Sequence, residues 1–390
     1  MPVAGTTRSF RGSLGGAEHF IAIQAPATHD LDAQIEHVEK RYAEARAALG
    51  LAPESAVFRR IFLSDAPNQA ERLKASRLFD DPDAGPVAVS IVQQPPLPGS
   101  KLALLAYHLE DPDRQEHIPP VRKRQLSPNH LLVEKNGTRH LWSTRLCTGA
   151  TEEPTSIASQ TREVFTGLTD ALSGQGGTLR DNCVRTWIYV KDVDVFYQDM
   201  VASRTALFQR HGMTRDTHYL ASTGIEGSCA HRYDTVLMDA CSNLDLAPDQ
   251  VSYLNDFDHL CATKDYDVTF ERGTRIGYAD RAHHFISGTA SIDNTGRVLH
   301  PGDVLRQLER ALDNVDALLR SGGAGLADMT HLLVYLRDSS DFARVDVSLR
   351  ERFPNLPVLI LRGAVCRPEW LIEVEGIGIA DADSPHLPTF

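Results

Sequence analysis

Apolar and polar positions along the chain repeat one cycle three times: a short β-rich run, a helical stripe, a glycine- or proline-bearing stop, and a second β-rich run closed by an aspartate. The closing runs are Phe58-Arg-Arg-Ile-Phe-Leu-Ser-Asp65, Arg185-Thr-Trp-Ile-Tyr-Val-Lys-Asp192 and His331-Leu-Leu-Val-Tyr-Leu-Arg-Asp338. Before each, residues 31–49, 157–172 and 304–319 place apolar side chains at three- and four-residue steps, the period of an amphipathic helix. Gly50-Leu-Ala-Pro53, Gly174-Gln-Gly-Gly177 and Gly322-Gly-Ala-Gly325 stop these helices and return the chain to a strand. A further helix is expected near Asn68, Asp194 and Asp341, and a short strand before each first helix, beginning at His19, His140 and His283. The closing aspartates lie 127 and then 146 residues apart, so the repeat is structural, with insertions between copies rather than a fixed solenoid period.

Each copy reads as a mixed sheet backed by two helices, an α+β layer that must bury its other face. Three such layers in one chain can turn their sheets inward as a pseudo-threefold ring, and divergence of the copies makes the clefts between them unequal. Ligand sites favour clefts of that kind. The expected units are 1–125, 126–255 and 256–390. The links between them, 111–129 and 244–275, read as polar connections. Arg122-Lys-Arg124 is expected to be solvated in the first, and residues 251–263 of the second to pack over an edge or a cleft.

Composition excludes more than it selects. The 390 residues are 42% apolar and 24% charged, ordinary for globular proteins. No apolar run reaches the roughly 20 residues that span a bilayer, and the first ten residues lack a signal-peptide core, so the expectation is a cytoplasmic protein. A net charge of −12 argues against nucleic acid or anionic membrane as partner. The six cysteines show no metal-ligand spacing and are expected as reduced thiols. His283 and His284, adjacent on a strand, face opposite sides and are not expected to share an ion.

The chemistry-bearing residues gather at the end of the third copy. In Trp370-Leu-Ile-Glu-Val-Glu375, strand alternation puts Leu371, Glu373 and Glu375 on one face and Ile372 and Val374 on the other. A carboxylate in mid-strand among apolar neighbours, facing a cleft between units, is desolvated. Its pKa rises, which suits a general acid near neutral pH. The first copy has lost both carboxylates in Lys101-Leu-Ala-Leu-Leu-Ala-Tyr107, and the second keeps only Asp239. One retained site beside degenerate copies points to a single asymmetric substrate.

The strand beginning at Arg185, the run Phe285-Ile-Ser-Gly288 and the ending Leu371-Ile-Glu373-Val-Glu375 resemble the YjgF-type (Rid) family. That resemblance implies a chorismate-mutase-like fold, used here as three tandem units in an intrachain pseudo-trimer, and hence a monomer. Over essentially the whole chain the sequence is similar to the chorismatases, with Ala364-Val-Cys366-Arg367-Pro-Glu-Trp-Leu-Ile-Glu373 resembling their active-site strand. The resemblance implies cleavage of the enolpyruvyl ether of chorismate, a small dianionic substrate, to pyruvate and a ring product. Glu373 would protonate the enol ether, with no metal or other cofactor. Cys366 would sit beside the ring and points to 3-hydroxybenzoate. Ala279, placed by the resemblance near the ring, points instead to a dihydroxycyclohexadiene carboxylate.

Arginine suits the two substrate carboxylates by its fork geometry. Arg275, Arg281 and Arg367 stand close in sequence to the implied site, with Tyr278, Ser287 and Gly288 beside them. The strands that would carry the carboxylate-holding arginine of an ordinary Rid enzyme, at 357–361 and 220–224, have none. Tyr219, Ser222 and Thr223 are the candidate replacements. Hydrolysis of 2-imino or enamine acids and non-catalytic ligand binding are the alternatives.

Overall fold

The first long helix of each unit starts at a short polar side chain that caps it. Asp30, Ser156 and Asp303 accept hydrogen bonds from the backbone N–H groups of Ala33, Ser159 and Arg306, each cap contributing about 1 kcal/mol. The structure, a computed structural model, describes residues 6–14, 16–110, 121–149, 153–261, 263 and 269–390.

The first unit runs β1 (Thr6–Arg11), β2 (Ala17–Gln24), α1 (Leu31–Ala48), β3 (Ala56–Leu63), α2 (Ala66–Lys74), β4 (Ala88–Gln93) and β5 (Leu102–Leu109). The second runs β6 (Arg122–Ser127), β7 (His130–Lys135), β8 (Thr138–Leu146), α3 (Ile157–Ser173), the single turn α4 (Leu179–Asn182), β9 (Cys183–Val190), α5 (Val193–Arg210), β10 (Ala221–Glu226) and β11 (Val236–Asn243). The third runs β12 (Val251–Tyr253), β13 (Gly273–Gly277), β14 (Arg281–Ala290), α6 (Val304–Ser321), β15 (Met329–Leu336), α7 (Phe342–Arg352), β16 (Val358–Arg362) and β17 (Ile372–Asp381).

The three sheets share one order: β1-β2-β5-β3-β4, then β7-β8-β11-β9-β10 extended by β6, then β13-β14-β17-β15-β16 extended by β12. In each, the last strand in the chain runs antiparallel between two others, and one parallel pair (β3–β4, β9–β10, β15–β16) forms the far edge. The expected α+β architecture of three Rid-like units is therefore present. Helices cover the outer face of each sheet. Val38 and Tyr42, Val164 and Leu168, and Leu308 and Val315 are buried there by the helical stripes read from the sequence.

The inner faces meet in one apolar cluster drawn from all three units, including Phe58, Tyr107, Trp142, Trp187, Phe285 and Tyr335. Each parallel edge strand lies against the next unit: β4 against β8, β10 against β14, β16 against β2. The contacts close a ring. Backbone bonds seal it, among them Gln93 N–H to Ser228 O at 2.8 Å, Glu271 N–H to Leu220 O at 2.8 Å and Leu97 N–H to Ile360 O at 2.9 Å.

Among the described residues, parts of both expected links are strands. Arg122-Lys-Arg124 opens β6, and the Lys123 ammonium donates to Ala56 O and Ala84 O of the first unit, each at 2.8 Å. β6 thus crosses the expected limit at 125, and β12, expected at the end of the second unit, is the edge strand of the third sheet. An edge strand needs only one apolar face and tolerates charge, so its sequence looks like a linker. Residues 111–120 of the first link, and 262 and 264–268 of the second, lie outside the described residues. Among the described residues no helix is long and apolar enough to cross a membrane.

Candidate active site

A cleft of about 890 Å³ opens between the second and third units. β10 brings Ser222, Thr223 and Gly224 to it, and α5 brings Tyr197, Gln198 and Arg204. The third unit supplies Phe270, Arg272, Gly288, Ala290, Ile292, Cys366, Arg367, Trp370 and Glu373.

Glu373 and Glu375 point to the same face of β17, as alternation requires, and both are buried. Glu375 is fully engaged. It accepts from Tyr335 Oη at 2.6 Å, from the Thr223 hydroxyl and from the Arg185 guanidinium. Arg185 and Thr223 come from the second unit, so a buried ion pair crosses the interface.

Glu373 has no such shell. Its Oε1 is buried without a hydrogen-bond partner. Burial, and then the charge of Glu375, push its pKa up to about 8, against the pull of Arg185 and Arg272. Near neutral pH it is a carboxylic acid, able to donate a proton into the cleft. Gly288 makes room for it: a Cβ there would lie 2.2 Å from Glu373 Oε1. The Gly288 N–H donates to Thr223 Oγ1 at 2.9 Å, tying β14 to β10 beside the acid.

Three guanidinium groups line the cleft. Arg204 is buried on α5, where its Nε donates to Thr269 Oγ1 at 3.1 Å and its Nη2 has no partner. Arg272 is buried and donates to Cys261 O at 3.4 Å. Arg367 lies over the Trp370 ring, 4.7 Å from its centroid. Cys366 is half-buried against Tyr197. Burial and the charge of Glu373 raise its pKa to about 12, so at neutral pH it is a thiol, not a nucleophilic thiolate.

The structure thus gathers Glu373, Cys366, Arg367, Gly288, Ser222 and Thr223 in one cleft. Ser287 borders it, fixed between Ser222 N–H at 2.9 Å and Glu271 O at 2.6 Å. The other expected residues are elsewhere. In β14, Ala290 pairs with Glu373 but Ala282 pairs with Ala380, so the strand's start is roughly 26 Å from the acid at about 3.3 Å per residue. Ala279 is at that distant end, its N–H donating to Pro388 O at 2.9 Å. Ala290 is the alanine that borders the cleft. Tyr278 lines a central cavity among the three sheets instead.

Arg281 is buried in an ion-pair network with Asp280 and Glu18 of the first unit, at 3.0 and 2.8 Å. Arg275 donates to Gly322 O at 3.1 Å. Tyr219 stacks on Phe208 and bonds through its N–H to Glu271 at 2.8 Å. Arg275, Tyr278, Ala279 and Arg281 are close to the site in sequence but not in space, because the long strand β14 carries its two ends to opposite sides of the molecule. His283 and His284 do face opposite sides, toward Glu18 and Gly322 O respectively.

Arg204, Arg272 and Tyr197 carried no usable sequence signal. The sequence places a carboxylate-binding candidate on the strands, whereas the arginines that line the cleft include Arg204 on helix α5 and Arg272 in the segment before β13. Arg185 lies on β9, a strand that the sequence displays, and alternation alone does not show that its face meets another unit.

The family model described as endoribonuclease L-PSP matches residues 278–380. A chorismatase of Streptomyces hygroscopicus is 28% identical over 244 residues, covering 58% of this chain and 69% of that protein. A 3-hydroxybenzoate synthase of the same organism is 34% identical over 103 residues, but the match spans only 24% of this chain and 30% of that protein. A RutC family protein of Pyrococcus abyssi is 34% identical over 96 residues, 24% of this chain and 75% of the relative. The fold matches a chorismatase crystal structure with a TM-score of 0.61 at 20% identity, over 83% of this chain and 93% of that one. By fold, by repeat and by these relatives, the chain belongs to the YjgF/RidA superfamily as a chorismatase-like protein.

Proposed function

We propose that this chain is a chorismatase that releases pyruvate from chorismate in the cleft between its second and third units. The observation that carries the reading is Glu373: buried, protonated near neutral pH, with Oε1 unpartnered, in a cleft that also holds three arginines. The similarity to a chorismatase over more than half the chain supports the substrate class.

Chorismate carries two carboxylates and an enol ether. Arg204, Arg272 and Arg367 provide the cations for the carboxylates, and Ser222 provides a hydroxyl. Glu373 gives its proton to the terminal methylene carbon, which becomes a methyl group. The electron pair of that double bond forms the new C–H bond and leaves an oxocarbenium ion, stabilised by the ether oxygen. Water adding to the cation gives a hemiketal that collapses to pyruvate and a dihydroxycyclohexadiene carboxylate. Attack by the neighbouring ring hydroxyl gives instead a cyclic ketal. Loss of the proton on the ether-bearing ring carbon, with cleavage of the bond between the neighbouring ring carbon and its oxygen, makes the ring aromatic, and the hemiketal left behind collapses to pyruvate and 3-hydroxybenzoate with no net gain or loss of water. We favour 3-hydroxybenzoate, because Cys366 stands in the cleft while Ala279 does not.

Incubation of the purified protein with chorismate tests the reading, with pyruvate measured and the ring product identified by mass and ultraviolet spectrum. Pyruvate with 3-hydroxybenzoate supports it, and Cys366→Ala then shifts the product toward the diene. No pyruvate overturns it. Turnover of 2-imino acids in its place would return the chain to ordinary Rid chemistry, and tight chorismate binding without turnover would leave a binding protein.

A further inference from the structure

The ring of three units has a second cleft, between the first and second units, that pseudo-symmetry relates to the one holding Glu373. In β17, Glu373 pairs with Tyr335 and Glu375 with Leu333, respectively three and five residues before the closing Asp338. In β11 the same register holds Leu237 opposite Tyr189 and Asp239 opposite Trp187, counted from Asp192. Asp239 keeps the role of Glu375, bonded by Ser90 at 2.5 Å and Arg60 at 3.1 Å across the interface. Leu237 replaces the acid. This cleft therefore cannot repeat the proton transfer proposed for Glu373.

It holds a different set of groups. Cys147, at the end of β8, His231 and Asp234 bring their ligand atoms within 4.8 Å of one another. A second thiol, Cys229, lies 3.7 Å from Asp234 Oδ2. Asp234 is buried and oriented by the Gly149 N–H at 2.9 Å and by the Thr148 hydroxyl, the outer-shell support that metal-ligating carboxylates receive. Both thiols are half-buried, and His231 stands at the rim, open to solvent.

We propose that these four residues bind one zinc-type divalent cation in a closed, structural site. Two thiols, an imidazole and a carboxylate form a donor set that suits zinc. Tetrahedral coordination needs ligand atoms roughly 3.3–3.8 Å apart, so the atoms of Cys147, His231 and Asp234 need shifts of about 1 Å, and Cys229, which stands outside that trio at 3.7 Å from Asp234 Oδ2, turns toward it as the fourth ligand. Both thiols lose their protons to solvent on binding. Two thiolates, one carboxylate and a neutral imidazole then exceed the cation's charge by one; Arg145, two residues before Cys147 and bonded to Val89 O and Pro128 O, is a cation on the same cleft. The cation pins the loop before β11 to the end of β8, beside the first unit. The site is independent of the chorismatase reading.

The test is titration of the full chain, reduced and stripped of metal, with cobalt(II) alone. One equivalent bound, with thiolate-to-cobalt charge transfer and the intense visible bands of a tetrahedral ion, supports the site. The solvent-facing change His231→Ala, which leaves the core untouched, then weakens binding by at least about tenfold, and Cys147→Ser removes the charge-transfer signal in proportion to the lost sulfur. Absence of that signal, an octahedral spectrum, or affinity unchanged in His231→Ala overturns the proposal. So does a Cys147–Cys229 disulfide as the state in which the fresh protein is isolated.

Discussion

Glu373 and Glu375 stand two residues apart on one face of β17, yet Glu375 is held by Arg185, Thr223 and Tyr335 while Glu373 Oε1 has no partner. The difference divides their work. Glu375 is the anion that locks the interface, and Glu373 is the acid whose proton that anion helps to retain.

Substitution of Glu373 by Gln keeps the shape of the side chain and removes its proton. The fold remains, read by thermal unfolding, and pyruvate release falls at least about 100-fold, the scale of a general acid. A near-normal rate would remove Glu373 from the mechanism.

The pKa of about 8 sets the pH dependence of both rate and stability. Turnover is expected to hold at neutral pH and fall as pH rises through about 8, where Glu373 loses its proton. For stability the folded pKa lies above the unfolded value of 4.5. The folded chain therefore binds an extra proton between the two values, and the associated stability, complete below 4.5, is lost as pH climbs to about 8. Glu373→Gln abolishes this component. The melting temperature of the variant relative to the parent should rise across that window, and a constant offset would refute the shift.

The Gly288→Ala variant places a methyl group where the Glu373 carboxyl now lies. The carboxyl must turn away, so activity is expected to fall by more than about tenfold, at a stability cost of about 1–3 kcal/mol from overpacking. Steady-state kinetics with a denaturation curve separates the two effects.

Loss of Arg185 leaves Glu375 buried and unpaired. Arg185→Met should cost about 3–5 kcal/mol in urea unfolding, and adding Glu375→Gln should restore part of it. Equal losses in the single and double variants would show that the pair is not coupled.

At the proposed carboxylate clamp, Arg204→Gln removes a cation whose Nη2 is free of protein partners. A charged hydrogen bond worth about 1.5–3 kcal/mol predicts that KM for chorismate rises about 10- to 100-fold, with a smaller change in kcat. A fall in kcat alone would move Arg204 from binding to the chemical step.

The repeat was legible in the sequence because its signals are local. The helical stripes at 31–49, 157–172 and 304–319 became α1, α3 and α6, and alternation placed Glu373 and Glu375 together on a buried face. The face of a residue follows from its own strand, and burial follows from the apolar residues around it. What faces that residue across a cleft follows from how separate units pack. Only the tertiary structure brought Arg185 and Thr223 to Glu375, Arg204 and Arg272 to the cleft, and Cys147 to His231 and Asp234. It also carried Ala279, Tyr278 and Arg281 to the far end of β14. Strand and helix are set by periods of two and 3.6 residues, which a sequence displays directly, whereas contacts between units depend on the closure of the whole ring, which no single stretch of the chain encodes.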